Sequence, residues 1–137
     1  MTKHINLIFI MIIFVGCVSY HSISKDSLVY QAKSNGQKFY VITDSIEGYE
    51  FSKIEQIECI NKDDELVIIS VDHNTNLEVY PKSGNVVKMY FGTVKLYSDT
   101  LYGLRSRILG IPRKIALKDI DRIEIYSEFK SEKKKSK

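Results

Sequence analysis

The chain has 137 residues, 44% of them hydrophobic and 27% charged, and a formal net charge of +3. The positive sign comes from the end of the chain: from Lys130 onward five lysines stand against Glu132 alone, whereas residues 17–129 hold fourteen Lys or Arg against sixteen Asp or Glu, a net of about −2. A mildly acidic body excludes a basic nucleic-acid-binding domain, and no nucleic-acid partner is expected.

At the N-terminus, Lys3 and His4 precede Ile5 to Val15, which is apolar except for Asn6, and the small residue Gly16 precedes Cys17. A charged start, an apolar core and a small-residue cleavage position form an export signal. About eleven apolar residues fall short of the roughly 17 or more that a membrane span needs. No later segment approaches that length.

The tetrad Phe14-Val15-Gly16-Cys17 resembles the lipobox of bacterial lipoproteins, with Phe14 standing where the family usually has leucine. The resemblance implies that residues 1–16 are a signal peptide and that Cys17 receives a diacylglycerol before cleavage. A cysteine with several acyl chains is a stable anchor, so the mature protein is expected to be held to its membrane partner by lipid and not to span it. Val18 follows the cysteine, where an aspartate would imply inner-membrane retention, and this points to the outer membrane facing the periplasm. Residues 17–27, with only Lys25 and Asp26 charged, are expected to be a lipidated tether. If Cys17 is acylated, Cys59 has no partner within the chain, which excludes a disulfide framework.

Residues 28–129 are expected to form a β-domain built from two similar units, 28–61 and 77–127. Each begins with an apolar strand and a Lys-Ser turn. Each continues through Asp-Ser-Ile-Glu-Gly (44–48) or Asp-Thr-Leu-Tyr-Gly (99–103), and closes with FSKIEQIEC (51–59) or LKDIDRIEI (117–125). In the closing segments Ile57 and Cys59, like Ile123 and Ile125, alternate with Glu58 and Glu124. Alternation puts the apolar set, the thiol included, on the buried face of a strand, where cysteine acts as a small hydrophobe.

The expected fold class is therefore all-β: an antiparallel meander of short strands with a two-unit internal repeat. Turn signals every eight to twelve residues support it, and no window shows a long helical stripe. Ile54 to Ile57 and Ile120 to Ile123 suit single helical turns before the closing strands, and the nearly unbroken apolar run LVIISV (66–71) is expected to be the most buried strand. The plan resembles SH3-like and Sm-like small barrels or sandwiches; the closing segment is similar to those of small Sm-like lipoproteins. About 110 ordered residues favour one shared core over two marginal barrels.

The residues that carry chemistry are sparse. The mature chain has His21, expected beside the lipid, and His73, in the turn DHNTN, with no nucleophile signature near either. There is no HExxH, no CxxC and no phosphate-cradling glycine loop, so no catalytic residue, metal or cofactor is expected. Glu55, Glu58, Asp121 and Glu124 read as solvated faces, and Asp63-Asp64-Glu65 as a charged turn lacking the spacing of a calcium loop. Tyr40, Tyr80, Tyr90, Tyr97 and Tyr126 fall in strands, where packing in the core or at its edge is expected.

Two features rise above this background. The second unit carries an insertion, Leu104 to Arg113 (LRSRILGIPR), without counterpart in the first. Arg105, Arg107, Ile108, Leu109, Ile111, Arg113 and Lys114 make an apolar tip flanked by cations, and loops added to a repeated scaffold are where binding is carried. The apolar residues would alternatively reach the core. The second is the tail 130–137, expected to be a basic disordered terminus able to meet anionic lipid. The expected function is non-enzymatic binding of another envelope protein, through the loop or an open strand edge. An inhibitor or immunity-type lipoprotein against a toxin or phage factor, and a cell-wall or glycan hydrolase, are the alternatives.

Overall fold

In the computed structural model, which describes residues 19–41, 46–106, 108–127 and 132–134, every strand pairing is antiparallel. The strands are β1 (Ser19–Ile23), β2 (Gln37–Val41), β3 (Ile46–Glu50), β4 (Gln56–Ile60), β5 (Leu66–Ser70), β6 (Asn76–Pro81), β7 (Val87–Tyr90), β8 (Lys95–Tyr97), β9 (Thr100–Leu104), β10 (Pro112–Ala116), β11 (Ile120–Ser127) and β12 (Glu132–Lys134). One helix, α1 (Lys25–Asn35), lies between β1 and β2. A seven-stranded sheet runs β12-β5-β4-β1-β11-β6-β7 and a five-stranded sheet β10-β9-β8-β3-β2. The fold is all-β, and both sheets stay open, so the barrel alternative gives way to two sheets.

The two closing segments, 51–59 and 117–125, take similar local structure. Ile54 N–H bonds Phe51 O at 3.0 Å, and Ile120 N–H caps a 3-10 turn on Leu117 O. Each turn lies three residues earlier than the isoleucine spacing suggests, because Ile57 and Ile123 already belong to strands. From these turns β4 and β11 run out along opposite edges of β1. Ile57, Cys59, Ile123 and Ile125 are all buried to 2% or less, as alternation requires. They belong to one apolar cluster that also takes Leu96, Leu101 and Ile115 from the five-stranded sheet and Leu28 and Ala32 from α1.

Three expectations are corrected. The segment 17–27 is not a plain tether: Ser19–Ile23 is a strand inside the larger sheet, paired with β11 from Ser19↔Ser127 to Ile23↔Ile123. His21 is accordingly buried in that sheet, opposite Ile125. The first apolar segment after Leu28 is helix, unlike its counterpart at Leu77. Ser24 accepts the Ser27 N–H at 3.1 Å as N-cap, Asp26 sits in the first turn and Lys33 in the last, each favoured by the helix dipole. In the second unit Pro81 occupies the corresponding run and lies on the strand, where helix would lose a hydrogen bond.

Of the tail, Glu132–Lys134 pairs with β5, Lys133 opposite Ile68, where disorder was expected; its other residues lie outside the described ones. So do the signal segment, Cys17, and Asp44-Ser45 of the repeat.

Two-residue connection of β8 to β9 places Ser98 and Asp99 at φ 51° and 55°, the type I′ geometry that matches strand twist. In the 61–65 turn the Asn61 Oδ1 accepts the N–H groups of Asp63 and Glu65 at 2.9 and 3.0 Å. The acidic cluster is thus organised as a turn.

Candidate functional site: the hairpin tip at 105–113

The inserted segment joins β9 to β10 as a closed loop. Arg105 N–H bonds Ile111 O at 2.9 Å, Gly110 N–H bonds Ser106 O at 2.9 Å, and Leu109 N–H bonds the Ser106 hydroxyl at 3.1 Å. Gly110 takes φ +60°, a left-handed conformation that glycine adopts without strain. The tip so fixed points away from the core: Ile108 is 95% exposed and Leu109 74%. The alternative in which these residues complete the core is therefore overturned. Ile111 and Arg113 are half-buried and Arg105 and Lys114 exposed; Arg107 lies outside the described residues.

The loop does not stand alone. The turn between β6 and β7 lies beside it, and Asn85, Val86, Lys88, Arg105 and Arg113 line a common cleft of about 420 Å³. Val86 is 37% exposed. Sequence reasoning missed Asn85 to Lys88 because they belong to the other end of the unit; the only local hint was an apolar pair, Val86-Val87, beside a Gly-Asn turn. Lys114 does not join the cleft. Successive strand residues face opposite ways, and Lys114 pairs with Tyr102 while Arg113 pairs with Gly103.

Arg105 and Arg113 make no carboxylate pair among the described residues; the Arg113 guanidinium donates only a long bond to Pro112 O at 3.5 Å. Four other cations of the sheets are paired: Lys38 with Glu47 at 2.9 Å, Lys88 with Glu78 at 3.4 Å, Lys95 with Glu50 at 3.6 Å and Arg122 with Glu124 at 3.4 Å.

The rest of the surface carries less. Glu124, expected in solvent, is 5% exposed, with its carboxylate bonded by the Tyr126 hydroxyl at 3.2 Å. Arg122, its ion-pair partner, stacks on Tyr80 at 4.0 Å. Burial, and then the Glu124 carboxylate, push the Tyr80 hydroxyl above the usual tyrosine range. Glu55 and Asp121 are exposed and Glu58 half-buried. Tyr40 is 63% exposed, contrary to expectation, because β2 is an outer strand of its sheet. Tyr80, Tyr90, Tyr97 and Tyr126 are half-buried.

A larger cleft of about 460 Å³ lies among Phe51, Ile54, Val71, His73, Phe91 and Thr93. Two carboxylates line it, Glu55 and Asp72; Asp72 accepts the Asn74 N–H at 2.8 Å and the Thr75 hydroxyl at 3.3 Å. Asp72 is thereby engaged in shaping the turn that carries the exposed His73.

Comparison with known proteins gives no match to any family model, curated protein or solved structure.

Proposed function

We propose that this chain is a non-enzymatic lipoprotein of the cell envelope, anchored through Cys17, whose β-domain binds another envelope protein through the 104–114 loop. The observation that carries the binding role is the exposure of Ile108 and Leu109 on a tip closed by its own hydrogen bonds. Large apolar side chains held in water on a pre-shaped loop gain by desolvation when a partner covers them, with little ordering cost. The anchor rests on the Phe14-Val15-Gly16-Cys17 resemblance. With β1 beginning at Ser19, a lipidated Cys17 would hold the domain within about 7 Å of chain from its acyl group, since each residue spans at most ~3.6 Å.

Affinity purification of the full-length protein from crosslinked native membranes tests the binding role, beside a variant with Arg105, Arg107, Ile108 and Leu109 changed to Ser. A partner held by the native chain and lost from the variant is the expected result. The same partner from both would move the site to a strand edge such as β2. Intact mass of the membrane-extracted protein tests the anchor: residues 17–137 plus acyl groups are expected, and an unmodified or uncleaved chain would remove it.

A further inference from the structure

We infer that the cleft between the β6–β7 turn and the 105–111 loop is an oxyanion site, which receives an Asp or Glu side chain of the partner protein while Ile108 and Leu109 dock beside it. The inference rests on the binding role proposed above and extends its surface to Asn85, Val86 and Lys88. The cleft walls bring together two guanidinium groups, one ammonium and one carboxamide, with no carboxylate among its lining residues. Like charges gathered in this way repel one another, and the repulsion is offset when a negative group sits among them.

Planar guanidinium forks match a carboxylate in two parallel hydrogen bonds. Arg105 and Arg113 are the cations of the cleft left without a carboxylate among the described residues, while Lys88 shares Glu78. The setting is an otherwise slightly acidic body, so the cluster is a local reversal of charge and not a general basic surface. Both rims are shaped in advance, by Gly84 at φ +97° and Gly110 at φ +60°. A concave cleft between two hairpins admits a single projecting side chain better than the flat headgroup layer of a bilayer, which favours a protein partner over anionic lipid.

The test uses the full-length protein in non-ionic detergent and a fluorescein-labelled hexapeptide of alternating Asp and Leu, followed by anisotropy. Saturable binding is expected, weakened tenfold or more by Arg105→Gln with Arg113→Gln and by replacing Asp with Asn in the peptide. Val86→Ser should weaken it less. Unchanged urea midpoints in these surface variants separate lost recognition from lost folding. No binding of the Asp peptide, or equal binding of the Asn peptide, would overturn the oxyanion cleft. So would binding of phosphatidylglycerol micelles without binding of the peptide, which would assign the cations to a membrane. A partner still crosslinked in cells from residue 109 would, in those cases, leave the docking loop standing. Peptide binding without any such partner supports the cleft and removes the docking role.

Discussion

Gln31 carries a side-chain amide that substitutes for a stretch of neighbouring strand. β1 pairs with β4 only at Ser22↔Ile60; two residues along, the Gln31 carboxamide takes over, accepting the Glu58 N–H at 2.8 Å and donating to Glu58 O at 2.9 Å. Gln31 is 6% exposed, and removing its amide takes away both of these hydrogen bonds. Gln31→Leu is expected to cost about 2 kcal/mol, since each hydrogen bond contributes ~0.5–1.5 kcal/mol; urea unfolding measures it. A second prediction concerns pH. Burial holds Tyr80 above its ordinary range, and the Tyr102 hydroxyl does the same for Tyr97. A raised pKa means that the native state holds the proton more tightly. The resulting stability is complete below about pH 10, the unfolded tyrosine value, and is lost as pH rises through the native values. The urea midpoint should therefore hold to about that pH and decline above it, and Tyr80→Phe should make the decline shallower. Sequence alternation found Cys59 and its isoleucine counterparts because burial of apolar residues has a period. It missed Glu124, because a carboxylate on a strand reads as solvated until Arg122, Tyr126 and Tyr80 are seen around it.

Among the elements, two glycines admit close neighbours: Gly48 sits under the Phe39 ring of the adjacent strand β2 in its own sheet, and Gly103 of β9 sits under Met89 of β7, where the two sheets meet. A Cβ on Gly48 would meet the Phe39 ring at 2.4 Å, and one on Gly103 the Met89 sulfur at 2.7 Å. Phe39 is half-exposed and can swing away, whereas Met89 is 1% exposed. Gly103→Ala should thus destabilise by about 2 kcal/mol and Gly48→Ala by less, overpacking costing ~1–3 kcal/mol; an order reversed in thermal unfolding would refute the packing argument. The β8–β9 turn offers the opposite case. Ser98 and Asp99 both take positive φ, and replacing them with Asn-Gly should stabilise by about 1 kcal/mol, since those residues suit type I′ turns. The Tyr97 and Tyr102 rings that flank this turn stack at 4.3 Å and 11°, so the hairpin is fixed on both sides. α1 escaped sequence reading because its buried side is narrow: Leu28, Gln31 and Ala32. With one of the three polar, no stripe stands out. β1 escaped because Ser-Tyr-His-Ser-Ile offers a single aliphatic residue, and its place between β4 and β11 is set by strands more than thirty residues away.

At the scale of the whole molecule, the similarity of the two closing segments goes with the closing strands but not with the proposed binding surface. β4 and β11 are the shared part, placed symmetrically beside β1; the insertion after β9 is what the second unit adds, and it projects from the sheet that the first unit completes with β2 and β3. The sequence singled out this loop by comparison of the two units. It could not supply the β6–β7 turn as the facing wall, because that contact depends on how the two sheets meet. The measurement that bears most directly on the proposed role is photo-crosslinking in living cells from a benzoyl-phenylalanine at position 109, with position 53, exposed in the 51–54 turn, as control. One envelope protein captured from 109 and absent from 53 is the predicted result. No adduct from 109, or the same adducts from both positions, would contradict it.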